Sequence, residues 1–401
     1  MKTALVLGAG GFIGSHMVKR LKSEGYWVRG ADLKYPDFSI SFADHFVIAD
    51  LSVYENVANI IDPMGTSSFD EIYQFAADMG GAGYIFSGEN DSQIMENSAL
   101  INLNLLRAQS RLNQKYDINK TKIFYSSSAC MYPDYKQLEV NNPGLKESDA
   151  YPADPDSEYG WEKLFSERLF LAFNRNHNLN VRVARFHNIF GPQGTWVGGK
   201  EKAPAAMCRK AAEIKDGDEI EVWGDGSTIR DFIHADDVAL GMIFVVENEI
   251  TQPVNLGSGE GYSIKEVVDM VVKYSNKPLE VKWLTDKPAG DKIRLFDMTR
   301  AKSYGFGISV LLEEGIKKTT EWFLNNKEIS CVDLVKQKID ALKSSGDFAN
   351  NLILEEEALL KASLCDEKIA KGEKLGVLEG VPFGVKDVFL LKNTISTASS
   401  N

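Results

Sequence analysis

A tyrosine four residues ahead of a lysine on a helix is a proton-exchange device. Both side chains lie on one face, so the ammonium can lower the phenol from its usual pKa of about 10 toward the working pH. The phenol can then take a proton from a substrate hydroxyl and return it. Fourteen tyrosines in 401 residues produce three such spacings, Tyr116/Lys120, Tyr132/Lys136 and Tyr159/Lys163. The first lies at the polar end of a helical pattern, and in the second Pro133 interrupts any helix between the two residues. Tyr159 instead opens an amphipathic pattern about 30 residues beyond an apolar run that ends in Ser126-Ser127-Ser128. A hydroxyl there can share the substrate oxygen, so Ser128, Tyr159 and Lys163 are expected to form one catalytic unit.

A second chemical signal comes first in the chain. The apolar run 2–7 leads into Gly8-Ala-Gly10-Gly11-Phe-Ile-Gly14, with glycines at 8, 11 and 14 opening a helical pattern. Glycines permit the tight turn and let backbone approach a pyrophosphate, and the helix N-terminus supplies oriented N–H groups. The next apolar run ends at Asp32, 18 residues after Gly14. A carboxylate there accepts both adenosine-ribose hydroxyls and repels a 2′-phosphate, which favours NAD over NADP. The plain alternative for Asp32 is a strand-end turn residue.

These residues need a scaffold that carries strand ends to one crevice. Short β-branched runs at 2–7, 26–32, 45–49, 71–75, 122–127 and 180–186 alternate with helical patterns at 12–24, 95–112 and 158–174. That rhythm predicts a doubly wound parallel α/β sheet of Rossmann type. The expected organisation is a cofactor domain at 1–187 and a smaller, mainly substrate-binding domain at 188–302. A closing helix of the main body follows at 303–328, then an appended segment at 329–401. In the second region 219–223 reads as a strand and 264–273 as a helix.

Composition narrows the function classes. Hydrophobic residues make up 44% and charged residues 25%, the balance of a globular protein. With 45 Lys and Arg against 57 Asp and Glu the net charge is −12, which opposes coating of nucleic acid or anionic lipid. The N-terminus has no secretory pattern, and the apolar run 242–246 is far short of the roughly 20 residues that span a bilayer. Cys130, Cys208, Cys331 and Cys365 are widely spaced, and the five histidines are scattered, so no metal site or disulfide framework is expected. The cytoplasm is the expected compartment.

Four further stretches sharpen the reading: Ala76-Ala-Asp-Met-Gly-Gly81, Ser127-Ser-Ala-Cys-Met-Tyr-Pro133, Arg185-Phe-His-Asn-Ile-Phe-Gly-Pro192 and Gly194-Thr-Trp-Val-Gly-Gly-Lys-Glu-Lys-Ala-Pro204. Across residues 1–325 the chain resembles the extended short-chain dehydrogenase/reductases, the NAD-dependent epimerase/dehydratase family, and within them the GDP-mannose 3,5-epimerase family. The resemblance implies NAD contacts at Gly8, Gly11, Phe12, Ile13, Gly14, Asp32, Asp50, Ala76, Tyr159 and Lys163. It implies nucleotide-sugar contacts at Gly81, Ser128, Asn188, Glu201, Lys202, Lys210 and Arg294, with Arg209 assisting. It also implies transient oxidation at sugar C4, a Cys130 base and a Lys202 acid that invert C5 and C3, and re-reduction to GDP-L-galactose and GDP-L-gulose. Taken alone, Cys130 reads as a small buried hydrophobe and Lys202 as a solvated charge. Such enzymes commonly pair through two long helices, here 95–112 and 158–174, so a homodimer is implied. The stretch 291–297 departs from that family's usual wording.

Residues from about 331 to 401 resemble the beginning of the amidase signature family, with a helical pattern at 354–370 and the motif Gly380-Val-Pro-Phe-Gly-Val-Lys-Asp387. Lys386 matches that family's catalytic lysine. Its chemistry also requires two serines from a glycine-rich segment, a setting that Ser399 and Ser400 lack, so amide hydrolysis is not expected.

Overall fold

The computed structural model describes residues 1–62, 68–117, 119–138, 144–194, 203–214, 217–286, 292–325, 335–336, 339 and 355–370. Among them, seven strands form a parallel sheet: β1 (Thr3–Leu7), β2 (Trp27–Asp32), β3 (His45–Ile48), β4 (Glu71–Gln74), β5 (Lys122–Ser128), β6 (Asn180–Phe186) and, from later in the chain, β10 (Val254–Leu256). Their order is β10-β6-β5-β4-β1-β2-β3. The six expected strands are present with ends within one residue of those read from the sequence. β1 shows why the sheet is two-sided: Ala4 and Val6 enter one buried cluster, and Leu5 and Leu7 enter the other. Each such side chain contributes roughly 1.5–3 kcal/mol on burial, so both faces must be covered.

Helices α1 (Phe12–Ser23) and α8 (Ala235–Glu247) cover one face, through Met17, Val18 and Leu21 and through Val238, Ala239 and Met242. Helices α2 (Tyr54–Ile61), α4 (Asp91–Tyr116) and α6 (Glu158–His177) cover the other. Between them in sequence lie two four-residue helices, α3 (Ala82–Ile85) and α5 (Asp134–Gln137). Ser157 caps α6 by accepting the Gly160 N–H at 3.3 Å, and Asn178 ends the helix at φ 54°.

A second layer holds β7 (Asn188–Phe190), β9 (Ile229–His234), β11 (Gly261–Ser263) and β13 (Ile293–Arg294), with β7 and β13 parallel to β9. β8 (Glu219–Trp223) pairs in parallel with β12 (Glu280–Leu284). Helices α7 (Ala203–Glu213), α9 (Ile264–Ser275) and α11 (Leu312–Asn325) share a cluster built on Cys208, Ile220, Val268 and Ile316. The helix expected to close the main body is therefore part of this layer, because the apolar stripe Leu312, Ile316 and Phe323 faces α7 and α9. Conversely, α8 and β10 return to the first sheet from within the stretch expected to bind mainly substrate. A short α10 (Thr299–Ser303) lies between the layers in sequence.

The chain divides into two units, Met1–Asp37 with Ser41–Lys327 and Phe38–Ile40 with Glu328–Asn401. In the second, α12 (Glu355–Ala370) contributes Ala362 and Cys365 to a small cluster with Val335 and Ile339. Lys386 and its motif lie outside the described residues. Among the described residues no helix is long and apolar enough to cross a membrane.

Candidate active site

The strand order reverses at β1 and β4, and the carboxyl ends on either side of that point converge on a crevice where α/β sheets bind ligands. Gly8 ends β1 at φ +85°, and a Cβ there would lie 2.7 Å from the Ala76 nitrogen. Ala76 itself donates to the Leu7 carbonyl at 3.1 Å. At Gly14 a Cβ would meet the Gly8 carbonyl oxygen at 2.0 Å, so helix and turn approach as only glycine allows. Gly11 caps α1 without a side chain, and the first turn of α1 carries no acid. The N–H groups that begin α1 are thus available to an anion, which fits the pyrophosphate of NAD.

Asp32, at the end of β2, accepts the Gly10 N–H at 2.9 Å and the Lys34 N–H at 3.3 Å. Burial lifts its carboxyl above the usual range, against the pull of those bonds. A Cβ at Gly10 would lie 2.1 Å from the Lys34 carbonyl oxygen, so Gly10 is as constrained as Gly8 and Gly14, whereas at Gly11 the nearest atom would be 3.4 Å away. Phe12 and Ile13 pack against the core beside the turn. Asp50 is exposed and closes a local turn through Ser52, whose N–H and hydroxyl reach it at 2.8 and 2.7 Å. It stays close to Asp32 because the neighbouring Ala49 N–H donates to the Asp32 carbonyl at 2.9 Å.

At the end of β5 the Ser128 hydroxyl accepts the Cys130 N–H at 3.2 Å and starts the single turn Ala129–Met131. Tyr159 and Lys163 face this turn from α6, each 6% exposed. Lys163 donates to the Ser126 carbonyl at 3.2 Å, and its Nζ lies 5.6 Å from the Tyr159 ring centre. Burial pulls the lysine below its usual range, and the negative charges of Glu162 and Cys130 oppose the shift. Tyr159 is raised by burial and then by Cys130 and Glu162, with the Ser128 hydroxyl pulling the other way. The lysine was expected to lower the phenol. Burial instead holds the phenol in its protonated form, and further positive charge is needed before it can accept a proton.

Cys130 is half-buried and packs with Met79 and Tyr84 against Ile85, Ile94 and Tyr159. An Arg294 N–H points to its sulfur at 3.7 Å. Cys208 behaves differently, being fully buried with its thiol pushed up to about 12. The other two tyrosine–lysine spacings resolve as structural. Tyr116 donates to Asp62 at 2.8 Å, and buried Tyr132 joins Asn255 and Arg185 at 2.7 and 2.8 Å.

Gly81 begins α3, its carbonyl accepting the Tyr84 N–H at 3.0 Å. The Asn188 amide donates to the Asp231 carbonyl at 3.1 Å, beside buried His187. Arg294 lies in register with Arg230 on β9. The sequence reading missed Arg230, which only the pairing of two distant strands places in register with Arg294. Lys210 is turned to the Glu221 carbonyl at 2.9 Å and Arg209 to Glu213 at 2.6 Å, so neither joins the cluster around Cys130. Glu201 and Lys202 lie outside the described residues.

Residues 4–257, which run from β1 through β10, match the NAD dependent epimerase/dehydratase family. The chain belongs to this family. Its relatives include GDP-mannose 3,5-epimerase of Arabidopsis thaliana, 39% identical over 344 residues that cover 85% of this chain and 84% of that protein. GDP-L-fucose synthase of Escherichia coli K12 is 25% identical over 67% of this chain and 87% of its own length. Among solved structures, UDP-glucose 4-epimerase of Thermotoga maritima superposes with a TM-score of 0.68 at 24% identity, covering 81% of this chain and all of that one. The same enzyme of Thermus thermophilus, solved with NAD, also gives 0.68 at 21% identity over 81% and 99%. For an epimerase/dehydratase family member NAD is the cofactor and the chain is an enzyme, as the glycine turn, Asp32 and the Tyr159/Lys163 pair led one to expect.

Proposed function

We propose that this enzyme inverts C3 and C5 of GDP-mannose, yielding GDP-L-galactose and GDP-L-gulose. Cys130 carries the reading: a thiol packed in the cluster that holds Tyr159, together with Glu201-Lys202 in the sequence, is a combination that 4-epimerases and dehydratases of this fold usually lack, and the Arabidopsis relative is named GDP-mannose 3,5-epimerase. The glycine turn at 8–14 and Asp32 would hold NAD, which would supply hydride acceptance at sugar C4 and the later return of that hydride. With Lys163 and an oxidised nicotinamide both supplying positive charge, Tyr159 would give its own proton to solvent and, as the phenolate, take that of the C4 hydroxyl, whose oxygen the Ser128 hydroxyl shares. The C4 ketone then acidifies the hydrogens on C3 and C5. Cys130 removes one as a thiolate: the C–H bond breaks, an S–H bond forms, and the electron pair moves onto the C4 oxygen. Lys202 delivers a proton to the opposite face, and Tyr159 returns the C4 hydroxyl proton at the end. Asn188, Glu201 and Gly81 hold the sugar, while Arg294, Arg230, Lys210 and Arg209 serve the diphosphate, a task for local cations in a chain of charge −12. A working thiol requires a reducing compartment, the cytoplasm.

Turnover in deuterated water tests this. Recovered GDP-hexose should carry deuterium at C3 and C5, and Cys130→Ser should abolish it. A 4-epimerase or 4,6-dehydratase would leave C3 unexchanged and survive the substitution. A non-catalytic sensor would hold the dinucleotide and turn over no GDP- or UDP-sugar.

Pairing of two copies through α4 and α6 belongs to the same reading. Leu100, Trp161 and Phe165 are 38%, 40% and 51% exposed on these helices, an apolar face that a second copy would cover. Light scattering should give twice the chain mass, and Trp161→Glu with Phe165→Glu should give a monomer.

A further inference from the structure

Asp156 stands just ahead of α6 and uses both carboxylate oxygens. One accepts the hydroxyl of Ser157 at 3.0 Å, the residue that caps the helix carrying Tyr159. The other accepts Arg294 at 2.8 Å, in an ion pair whose side chains are only 13% and 12% exposed. The same guanidinium points its second N–H-bearing nitrogen at Cys130 Sγ, 3.7 Å away. A carboxylate that grips one arm of a rigid fork fixes the direction of the other. Without that grip, a long side chain at the edge of a crevice can turn to solvent.

We propose that Asp156 is a positioning residue for proton transfer at C5 and C3: it holds Arg294 on the Cys130 sulfur, so that a guanidinium N–H faces the sulfur that exchanges protons with the sugar. This rests on Cys130 as the base. The charged and titratable groups around the sulfur support it. On α6 these are Tyr159, Lys163 and Glu162. From the α3 side comes the Tyr84 phenol, and from β5 the Ser128 hydroxyl, which is turned to the Cys130 N–H. Lys163 is itself turned to the Ser126 carbonyl, which leaves Arg294 as the cation hydrogen-bonded to the sulfur among the described residues. Asp156 takes the Arg294 Nη2 and leaves Nη1 for the sulfur.

The test is the pH dependence of iodoacetamide alkylation at Cys130 in the full chain, read by peptide mass spectrometry. Asp156→Asn should alkylate about tenfold more slowly than the parent near neutral pH, and the two rates should converge in strong base, where any thiol is ionised. Asp156→Glu should restore most of the neutral rate. Deuterium entry at C3 and C5 should fall with the alkylation rate. Equal or faster neutral alkylation in Asp156→Asn would overturn the proposal. Should that variant fail to fold, Arg294→Lys keeps the charge but not the fork, and the proposal requires the same slowing. If Cys130→Ser still exchanges C3 and C5, the base assignment fails, whereas the alkylation profile judges Asp156 without turnover.

Discussion

Gly160 lies directly against Cys130: a Cβ built on Gly160 would sit 2.2 Å from the Cys130 carbonyl oxygen. Helix α6 therefore carries the tyrosine and lysine and also, by having no side chain at this point, lets the sulfur-bearing turn approach them. Gly160→Ala should push that turn away. A displacement near 1 Å can cost about 100-fold in kcat, and steady-state kinetics on nucleotide sugar should show it. A kcat within twofold of the parent would mean that the contact does not set the geometry.

Lys163 should trade stability for chemistry. Its folded pKa is depressed by burial, so between that value and the ordinary 10.5 the unfolded chain binds the extra proton. Stability therefore rises with pH across this window, and the cost is fully present below it. Lys163→Met should be more stable than the parent at pH 7 by roughly 1–2 kcal/mol and nearly inactive. Urea titrations should show the difference shrinking as pH approaches 10.5.

Asp32 should decide cofactor affinity. Hydrogen bonds to a charged group contribute about 1.5–3 kcal/mol, so Asp32→Ala should weaken NAD binding roughly 10- to 100-fold by calorimetry. Discrimination against NADP should relax in the same variant, because the anion that repels the 2′-phosphate is gone. Unchanged selectivity would leave Asp32 as a turn residue that receives the Gly10 N–H.

The pair Arg185–Glu167 links β6 to α6, with side chains 3% and 2% exposed and two hydrogen bonds of 2.6 and 3.0 Å. Arg185 also donates to Tyr132, two residues beyond Cys130. Removing one partner of such a pair leaves a buried charge without compensation, at a cost of about 3–5 kcal/mol. Glu167→Gln should lose that much in denaturant unfolding, and a loss below about 1 kcal/mol would place the pair's importance elsewhere.

The first sheet was legible because its strands are long apolar runs between helical patterns, and the cofactor turn because glycine spacing reports backbone geometry directly. β10 was not, since Val254–Leu256 is a three-residue strand that only β6 stabilises. Tyr159 and Ser128 could be paired from spacing, but the direction of the phenol's shift could not, because burial is a property of the packed site. Arg230 and Arg294 lie 64 positions apart in the chain and meet only through strand register. The Asp156–Arg294 link was equally invisible, joining a helix cap to a strand in the other layer.

The return of β10 to the edge of the first sheet affects how the protein can be made and cut. A gene fragment ending anywhere before Leu256 would release a dinucleotide lobe with β6 as a raw, unpaired margin, inviting aggregation rather than independent folding. On the ribosome the sheet cannot be completed until that tripeptide has emerged, so the nascent lobe must wait for most of its partner to be synthesised.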